Sequence, residues 1–398
     1  MRSTRRVFLR SAALTGVGGA IGAGAALPGA AAAPASAGSG SAASGGLVPF
    51  YGTHQAGIVT PTQNYLQFAA LDMVSDSAAD LRRLLRAWTH AAALMSLGRL
   101  IGPVRAASRP PADTGEALGL GPAELTVTFG FGPSLFGAKN TDRFGLAGHR
   151  PAPLVDLPEF LGDAIEPAIS NGDLGLQVCA NDPQVAFHAV HELIRLAIGT
   201  AQPRWLLAGF GRTANSRHQA LPRNLMGFQD GTANIKVEDT AALDRFVWAS
   251  EPASPAWMRG GSYLVARRIE IALALWDSTD LDGQQDAIGR QKLAGIRLRP
   301  MPPTSHIVLA SPERNGGEQI LRRGYSFADG IAVPSRVPAA GLMFLCYQRD
   351  PRRQFIPIQR RIAGRDALSL YLRHVGSAIF ACPPGAGPGG FVGESLLG

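Results

Sequence analysis

Residues 223–236 read RNLMGFQDGTANIK and place an acid, Asp230, between an apolar approach and a polar exit. The apolar approach contains Met226 and Phe228, and glycines stand at positions 227 and 231. An Asp-Gly pair is typical of a turn. Glycines before and after the acid also permit the backbone to approach a flat ligand closely, and the apolar neighbours would keep the carboxylate partly out of water. The residues alone leave two interpretations open, a plain turn and a proton-handling group in an apolar pocket.

A second candidate site residue, His306, follows the proline-rich turn 299–305 and begins the apolar run HIVLA. We interpret that run as a strand, 306–310, which would hold the imidazole at the mouth of a cavity. Arg322 begins the next predicted strand, 322–327. Spacing alone favours a structural role, in which His306 is a strand-end histidine bonded to the backbone and Arg322 and Arg323 are solvated.

Helices and strands alternate on both sides of the opening stretch. The predicted strands are 124–132, 174–178, 204–211, 262–271, 306–310, 322–327, 341–348 and 377–383, and the predicted helices are 76–99, 182–198, 281–290, 352–362 and 366–374. The interleaving, with several strands spaced for antiparallel pairing, favours an α+β fold over a doubly wound parallel sheet.

The composition indicates a globular protein with a sizeable core, because 46% of the 398 residues are hydrophobic and 17% are charged. The net charge is +8, but four of the 38 basic residues lie in 1–37, a segment without acidic residues. The rest of the chain carries 34 basic against 30 acidic side chains, or +4. That balance is too mild to indicate a nucleic-acid partner.

Residues 1–37 have the pattern of a twin-arginine signal peptide. Residues 3–10 read STRRVFLR, a Gly/Ala-rich run follows, and Ala35-Ser36-Ala37 has the small residues of a cleavage site. The apolar run is short and interrupted, so we do not count it as a membrane span. Residues 38–47 are expected to form a flexible leader. We therefore expect export by the twin-arginine route to a periplasmic, extracellular or cell-envelope location.

Cysteine and histidine patterns exclude several kinds of metal site. The three cysteines form no CxxC or CxxCH pattern, which leaves structural zinc and covalently attached haem without support. No HExxH pattern occurs, so a zinc protease is excluded. His188 and His191 lie three residues apart on a predicted helix and could place two ligands on one face. Their apolar surroundings favour a structural role instead.

Several motifs, taken together and in order, resemble the dye-decolorising peroxidases, a family that uses haem b. They are FYGTHQAGIVTP (50–61), GFQDGTAN (227–234), WMRGGSYLVARRIEI (257–271), LWDSTDLDGQQDAIGRQK (275–292), SHIVLA (305–310) and LRRGYSF (321–327). The resemblance runs from about residue 48 to the C-terminus and is closest to the exported branch that includes iron-uptake peroxidases, or deferrochelatases. It implies two ferredoxin-like α+β halves, with antiparallel sheets facing each other and helices outside. The halves would be 48–215 and 216–398, and the second would carry most of the haem site.

The resemblance also implies roles for individual residues. His306 would be the axial ligand of the haem iron, with its other nitrogen bonded to Asp366, although Asp366 also fits an acid at a helix N-terminus. Asp230 would take a proton from hydrogen peroxide and return it to the leaving oxygen. Arg322 would stabilise the negative charge that develops as the O–O bond breaks. The remaining haem-site residues implied by the resemblance are Gly231, Thr232, Ala233, Asn234, Ser311 and Pro312.

The implied activity is that of a haem b peroxidase, which reduces hydrogen peroxide and oxidises bulky organic donors such as dyes and phenols. The alternative is release of iron from haem, or haem handling with iron-uptake partners. Whether the chain forms a homo-oligomer stays open. Free aspartate and histidine side chains titrate near about pH 3.9 and 6.5. A carboxylate base therefore predicts peroxidase activity that is highest at acidic pH.

Overall fold

The computed structural model describes residues 46–104, 108–137, 141–211, 222–331 and 336–398. The predicted signal peptide, the leader up to residue 45 and the predicted boundary between 215 and 216 lie outside the described residues. Among the helices that the structure describes, none has both the length and the apolar character needed to cross a bilayer.

The first half of the chain forms a β-α-β-β-α-β unit. Its elements are β1 (Tyr65–Met73), α1 (Ala78–Met95), β2 (Thr126–Phe131), β3 (Leu174–Ala180), α2 (Pro183–Leu196) and β4 (Ala201–Phe210). The strands lie in the order β2-β3-β1-β4, and all neighbours are antiparallel. Asp182 begins α2 because its carboxylate accepts hydrogen bonds from the amides of Gln184 and Val185.

The second half repeats this order with additional short helices. Its elements are α3 (Thr240–Phe246), β5 (Ser262–Ile271), α4 (Leu273–Asp277), α5 (Leu281–Ile288), α6 (His306–Leu309), β6 (Leu321–Arg322), β7 (Tyr325–Ile331), β8 (Pro338–Gln348), α7 (Phe355–Ile362), β9 (Leu372–Cys382) and α8 (Glu394–Leu397). The four long strands lie in the antiparallel order β9-β5-β8-β7. The predicted α+β class with two ferredoxin-like halves is confirmed.

The two sheets are continuous with each other at both edges. Phe131 of β2 pairs with Ala381 of β9, and Phe210 of β4 pairs with Ser326 of β7. One hydrophobic cluster contains side chains from both sheets, including Phe68, and so lies between them. Another contains the apolar face of α1 and side chains of the first sheet, which places this helix on the sheet's outer side. Because the two sheets join at both edges, their strands form a closed ring. One part of the core lies inside this ring, and another lies between the ring and the outer helices.

One predicted element is wrong and another is only partly formed. Residues 306–310 form the helical turn α6, not a strand, because the carbonyl of Ser305 accepts the amides of Val308 and Leu309. A short apolar run does not by itself distinguish a strand from a buried helical turn. The helix predicted at 366–374 is shorter than expected: a 3₁₀ helix at Ala367–Tyr371 leads directly into β9, whose first residue, Leu372, pairs with Ile271. Pairing with β5 supplies the backbone partners that a helix would otherwise provide.

Candidate active site

A cavity of about 520 Å³ lies against the second sheet and is bounded by β5, β8 and α7. All ten residues predicted from the sequence line it. They are Asp230, Gly231, Thr232, Ala233, Asn234, His306, Ser311, Pro312, Arg322 and Asp366. Residues separated by up to 136 positions in the chain are thus brought to one site.

His306 is the first residue of α6 and is held by a buried acid. Its Nδ1 lies 2.6 Å from Oδ2 of Asp366, whose side chain is 1% exposed. The other oxygen of Asp366 accepts the amide of Leu368 at 2.9 Å, so the carboxylate is itself fixed. Because a carboxylate oxygen accepts, Nδ1 donates, and this leaves Nε2 as the ring nitrogen with a lone pair for a ligand bond. Asp366 caps the 3₁₀ helix that follows it and also bonds the imidazole of His306.

Asp230 and Arg322 form a second charged pair at the cavity. Nη1 of Arg322 lies 3.5 Å from Oδ1 of Asp230, and each side chain is about one-third exposed (31% and 35%). The same Oδ1 accepts the amide of Gly231 at 2.6 Å. Gly231 has a φ of +80°, which favours glycine in this turn. Asp230 is therefore both the acid of an Asp-Gly turn and a carboxylate facing the cavity.

The segments that carry Asp230 and Arg322 are held by apolar packing at Phe228 and by the side-chain amide of Asn234. Phe228, 2% exposed, contacts Trp276 edge-to-face with ring centroids 5.9 Å apart. Asn234 donates from Nδ2 to the carbonyl of Arg322, and its Oδ1 accepts the amide of Arg322, both at 2.8 Å. Asn234 thus connects the loop of Asp230 to β6 through two backbone contacts. Ser311 and Pro312 reach the cavity from the 3₁₀ turn after α6.

Sequence analysis did not identify a buried polar group on the same wall. Arg267 of β5 is 1% exposed and bonds Asp163 at 2.5 Å, and both Arg267 and His374 line the cavity. Burial, followed by the positive charge of Arg267, lowers the pKa of His374 to about 4, although Asp163 opposes the shift. Two adjacent arginines in the largely apolar strand SYLVARRIEI were the sequence signal for a buried charge. The partner of Arg267, Asp163, lies more than 100 positions away, and no local pattern connects the two residues.

The cavity has an excess of positive charge that suits an anionic cofactor. Arg290, Arg297 and Arg322 all line it. Burial, then the charges of Arg297 and Arg322, lowers the pKa of Arg290. A porphyrin with two carboxylates would relieve that repulsion, and the cavity volume is in the range of small-molecule sites. With an imidazole whose Nε2 is open to a metal, the residues fit haem.

The histidine pair of α2 lies outside this cavity. Nδ1 of His188 and Nδ1 of His191 lie 2.8 Å and 2.7 Å from the two carboxylate oxygens of Glu116. The two rings therefore share Glu116 through their Nδ1 atoms.

Known proteins resemble this chain over most of its length. The family model "Dyp-type peroxidase, N-terminal" matches residues 55–211, and "Dyp-type peroxidase, C-terminal" matches residues 221–387. The Deferrochelatase of Escherichia coli strain K12 is 35% identical over 373 residues, which cover 88% of this chain and 87% of that protein. Ferric DtpA from Streptomyces lividans is 40% identical, with a TM-score of 0.81 over 88% of this chain and 97% of that one. The DyP-type peroxidase from Streptomyces coelicolor is 39% identical, with a TM-score of 0.81 over 88% and 97%. The chain therefore belongs to the Dyp-type peroxidase family, whose enzymes are haem b-dependent peroxidases.

Proposed function

We propose that this peroxidase reduces hydrogen peroxide with Asp230 as the acid–base group and Arg322 as the charge-stabilising group, and oxidises bulky organic donors such as dyes and phenols. The observation that carries the proposal is the Asp230–Arg322 pair, 3.5 Å apart, in the cavity that also contains His306. Haem, when bound, supplies the iron that exchanges electrons with peroxide and donor. His306 would hold that iron through Nε2, and Asp366 would keep the ring in place.

Asp230 moves the proton in this proposal. Its Oδ1 already accepts the amide of Gly231 and faces Arg322, so Oδ2 is the oxygen that would receive a proton from peroxide. The same carboxyl group then donates the proton to the other peroxide oxygen, which leaves as water. The guanidinium of Arg322 stabilises the negative charge that develops on the departing oxygen. Asn234 keeps Arg322 in position through the two backbone contacts.

The size of the cavity supports donor oxidation at the protein surface. A space of about 520 Å³ that holds haem leaves little room for a second large aromatic molecule. Dyes and phenols would therefore deliver electrons from outside, and they need not reach Asp230.

Replacement of Asp230 tests the proposed role. Asp230→Asn keeps the shape of the side chain but removes the base, and we expect the rate of reaction with peroxide to fall by at least about 100-fold. The haem absorption spectrum of the variant should be retained. Glu318→Gln is a matched control, because Glu318 also lines the cavity and instead pairs with Arg353. Equal rates for wild type and Asp230→Asn in rapid-mixing measurements would overturn the proposal.

A second candidate function is release of iron from haem with the porphyrin left intact. The observation that favours it is the 35% identity to proteins named Deferrochelatase. Porphyrin fluorescence and free iron should be followed in wild type and Asp230→Asn incubated with haem. If Asp230→Asn releases iron at the wild-type rate, iron release is a function separate from peroxide reduction. If the variant loses both iron release and peroxide reduction, both reactions depend on the proton transfer by Asp230.

We also propose that the protein is exported by the twin-arginine route, on the basis of residues 1–37. Arg5→Lys together with Arg6→Lys should leave the full-length precursor in the cytoplasmic fraction, while the wild-type chain appears outside it, shortened after Ala37. The same distribution for both proteins would exclude this route.

A further inference from the structure

A buried cluster of three acids and one histidine lies in the first half of the chain, outside the haem cavity. We call it the acid–histidine cluster, and it consists of Asp113, Glu116, His188 and Glu192. His188 and Glu192 lie on α2, and the two other acids belong to the segment before β2. Asp113 and Glu192 are 0% exposed and His188 is 2% exposed. Ionisable groups so deeply buried require partners.

The orientation of His188 resembles that of a metal ligand. Its Nδ1 bonds Oε2 of Glu116 at 2.8 Å, so Nδ1 donates and Nε2 carries the lone pair. Nε2 is buried and, among the residues that the structure describes, has no hydrogen-bond partner. Metal-binding histidines commonly donate their other ring nitrogen to a carboxylate in this way. The open nitrogen is directed to the side of the cluster where Asp113 lies.

The distance between the side chains of His188 and Asp113 also suits a bound ion. Nε2 of His188 and Oδ2 of Asp113 are 3.6 Å apart, which is longer than a normal N–H···O bond of about 2.7–3.2 Å. Two donor atoms on one tetrahedral zinc ion lie about 3.3 Å apart, given bonds of about 2.0–2.1 Å. Atoms of Asp113, His188 and Glu192 that could ligate a metal all lie within 4.8 Å of one another.

The cluster contains more acidic than basic side chains. Within the described part of the chain, Asp113, Glu116 and Glu192 surround His188, and the guanidinium of Arg195 bonds Glu192. A divalent cation among these oxygens would give the buried acids a further partner.

We propose that the acid–histidine cluster binds a divalent transition-metal ion, such as zinc or manganese, through Nε2 of His188 and carboxylate oxygens of Asp113 and Glu192. One imidazole and two carboxylates suit ions of this class. Glu116 orients His188 through Nδ1. Hydrogen bonds to Asp113 from the amide of Ile101, and to Glu192 from the amide of Thr114, orient the two acids in the same way. The ion would join the segment before β2 to α2 and would stabilise the first half of the fold.

Metal content and thermal unfolding of the haem-loaded protein test the proposal. After dialysis against a chelator, the wild type should bind one equivalent of zinc chloride or manganese chloride per chain, and its melting temperature should rise with the added metal. Asp113→Asn and His188→Gln should each weaken binding at least about 10-fold and abolish the rise. Glu116→Gln should weaken binding by a smaller factor, because that residue does not touch the ion.

His191→Gln is the matched control, because His191 bonds the same Glu116 but is 41% exposed and lies outside the proposed ligand set. It should bind metal like the wild type. Failure of the wild type to bind either metal overturns the proposal and favours a doubly protonated His188 between Glu116 and Asp113. Equal binding by wild type, Asp113→Asn and His188→Gln also overturns it. If neither of these variants folds, wild type and His191→Gln decide the question. Both should bind one metal ion per chain, and the melting temperature of both should rise with added metal.

Discussion

Asp366 lies 2.6 Å from Nδ1 of His306 and is almost completely buried, so a fixed carboxyl group supports the imidazole proposed to hold haem iron. A carboxylate in this position makes the imidazole a stronger electron donor. The pair therefore controls both the orientation and the electronic character of the ligand.

Asp366→Asn is expected to retain haem but to raise the reduction potential of the bound iron. The amide oxygen can still accept the amide of Leu368, so the local turn should persist, while the negative charge beside Nδ1 is removed. Peroxidase activity should fall about 10- to 100-fold. Redox titration of the Soret band checks this, and an unchanged potential with unchanged activity would contradict it.

Arg322→Leu is expected to lower the rate of peroxide cleavage about 100- to 1,000-fold, which is typical of losing one charge-stabilising donor. Binding of haem should persist, because the backbone contacts of Arg322 with Asn234 do not depend on the guanidinium. Arg353→Leu is a suitable control, since that side chain is 75% exposed. Rapid-mixing rates with peroxide provide the measurement.

Asn234→Ala should slow peroxide cleavage without removing any charge. The two 2.8 Å contacts with the backbone of Arg322 would be lost, and the guanidinium would be less well positioned over the Asp230 loop. We expect a decrease of about 10-fold or more, smaller than that for Arg322→Leu. A variant with wild-type turnover would show that β6 alone positions Arg322.

Asp163→Asn should destabilise the protein by about 3–5 kcal/mol, because it leaves the buried guanidinium of Arg267 without its acid. The two side chains are 6% and 1% exposed. The double variant Asp163→Asn with Arg267→Met should recover part of the loss, since no unpaired charge remains. Urea unfolding of the three proteins gives the comparison, and a double variant less stable than the single one would refute this explanation.

His374 should make stability depend on pH between about 4 and 6.5. Its pKa in the fold is lowered to about 4 by burial and Arg267, against 6.5 for the free side chain, so the unfolded chain binds the proton first as pH falls. The contribution is fully present above pH 6.5 and is lost as pH falls towards 4. His374→Gln should flatten this part of the profile. Unfolding midpoints at pH 7.5, 5.5 and 4.5 measure it, and parallel profiles would contradict the assignment.

Local patterns were sufficient to predict most elements, whereas the proposed site residues followed from the family resemblance. Asp182 and the apolar face of α1 predict their helices, because caps and periodicity act within a few residues. The loop of Asp230, His306 and Arg322 was found through motifs that also line the cavity.

What sequence reasoning missed depends on contacts between distant segments. The Asp163–Arg267 pair spans 104 positions, and the bond between Glu116 and His188 spans 72. The strand predicted at 306–310 was wrong for a related reason. A strand needs a neighbour to bond with, and whether a neighbour is available is decided by the tertiary fold.

The pairs Phe131–Ala381 and Phe210–Ser326 join the two sheets, so each half covers the edge strands of the other. A fragment that begins at residue 222 would keep every predicted residue of the haem cavity but would leave the edges of β9 and β7 without their neighbours. Open strand edges recruit other chains. We therefore expect such a fragment to self-associate through the two strand edges that the first half covers in the full chain.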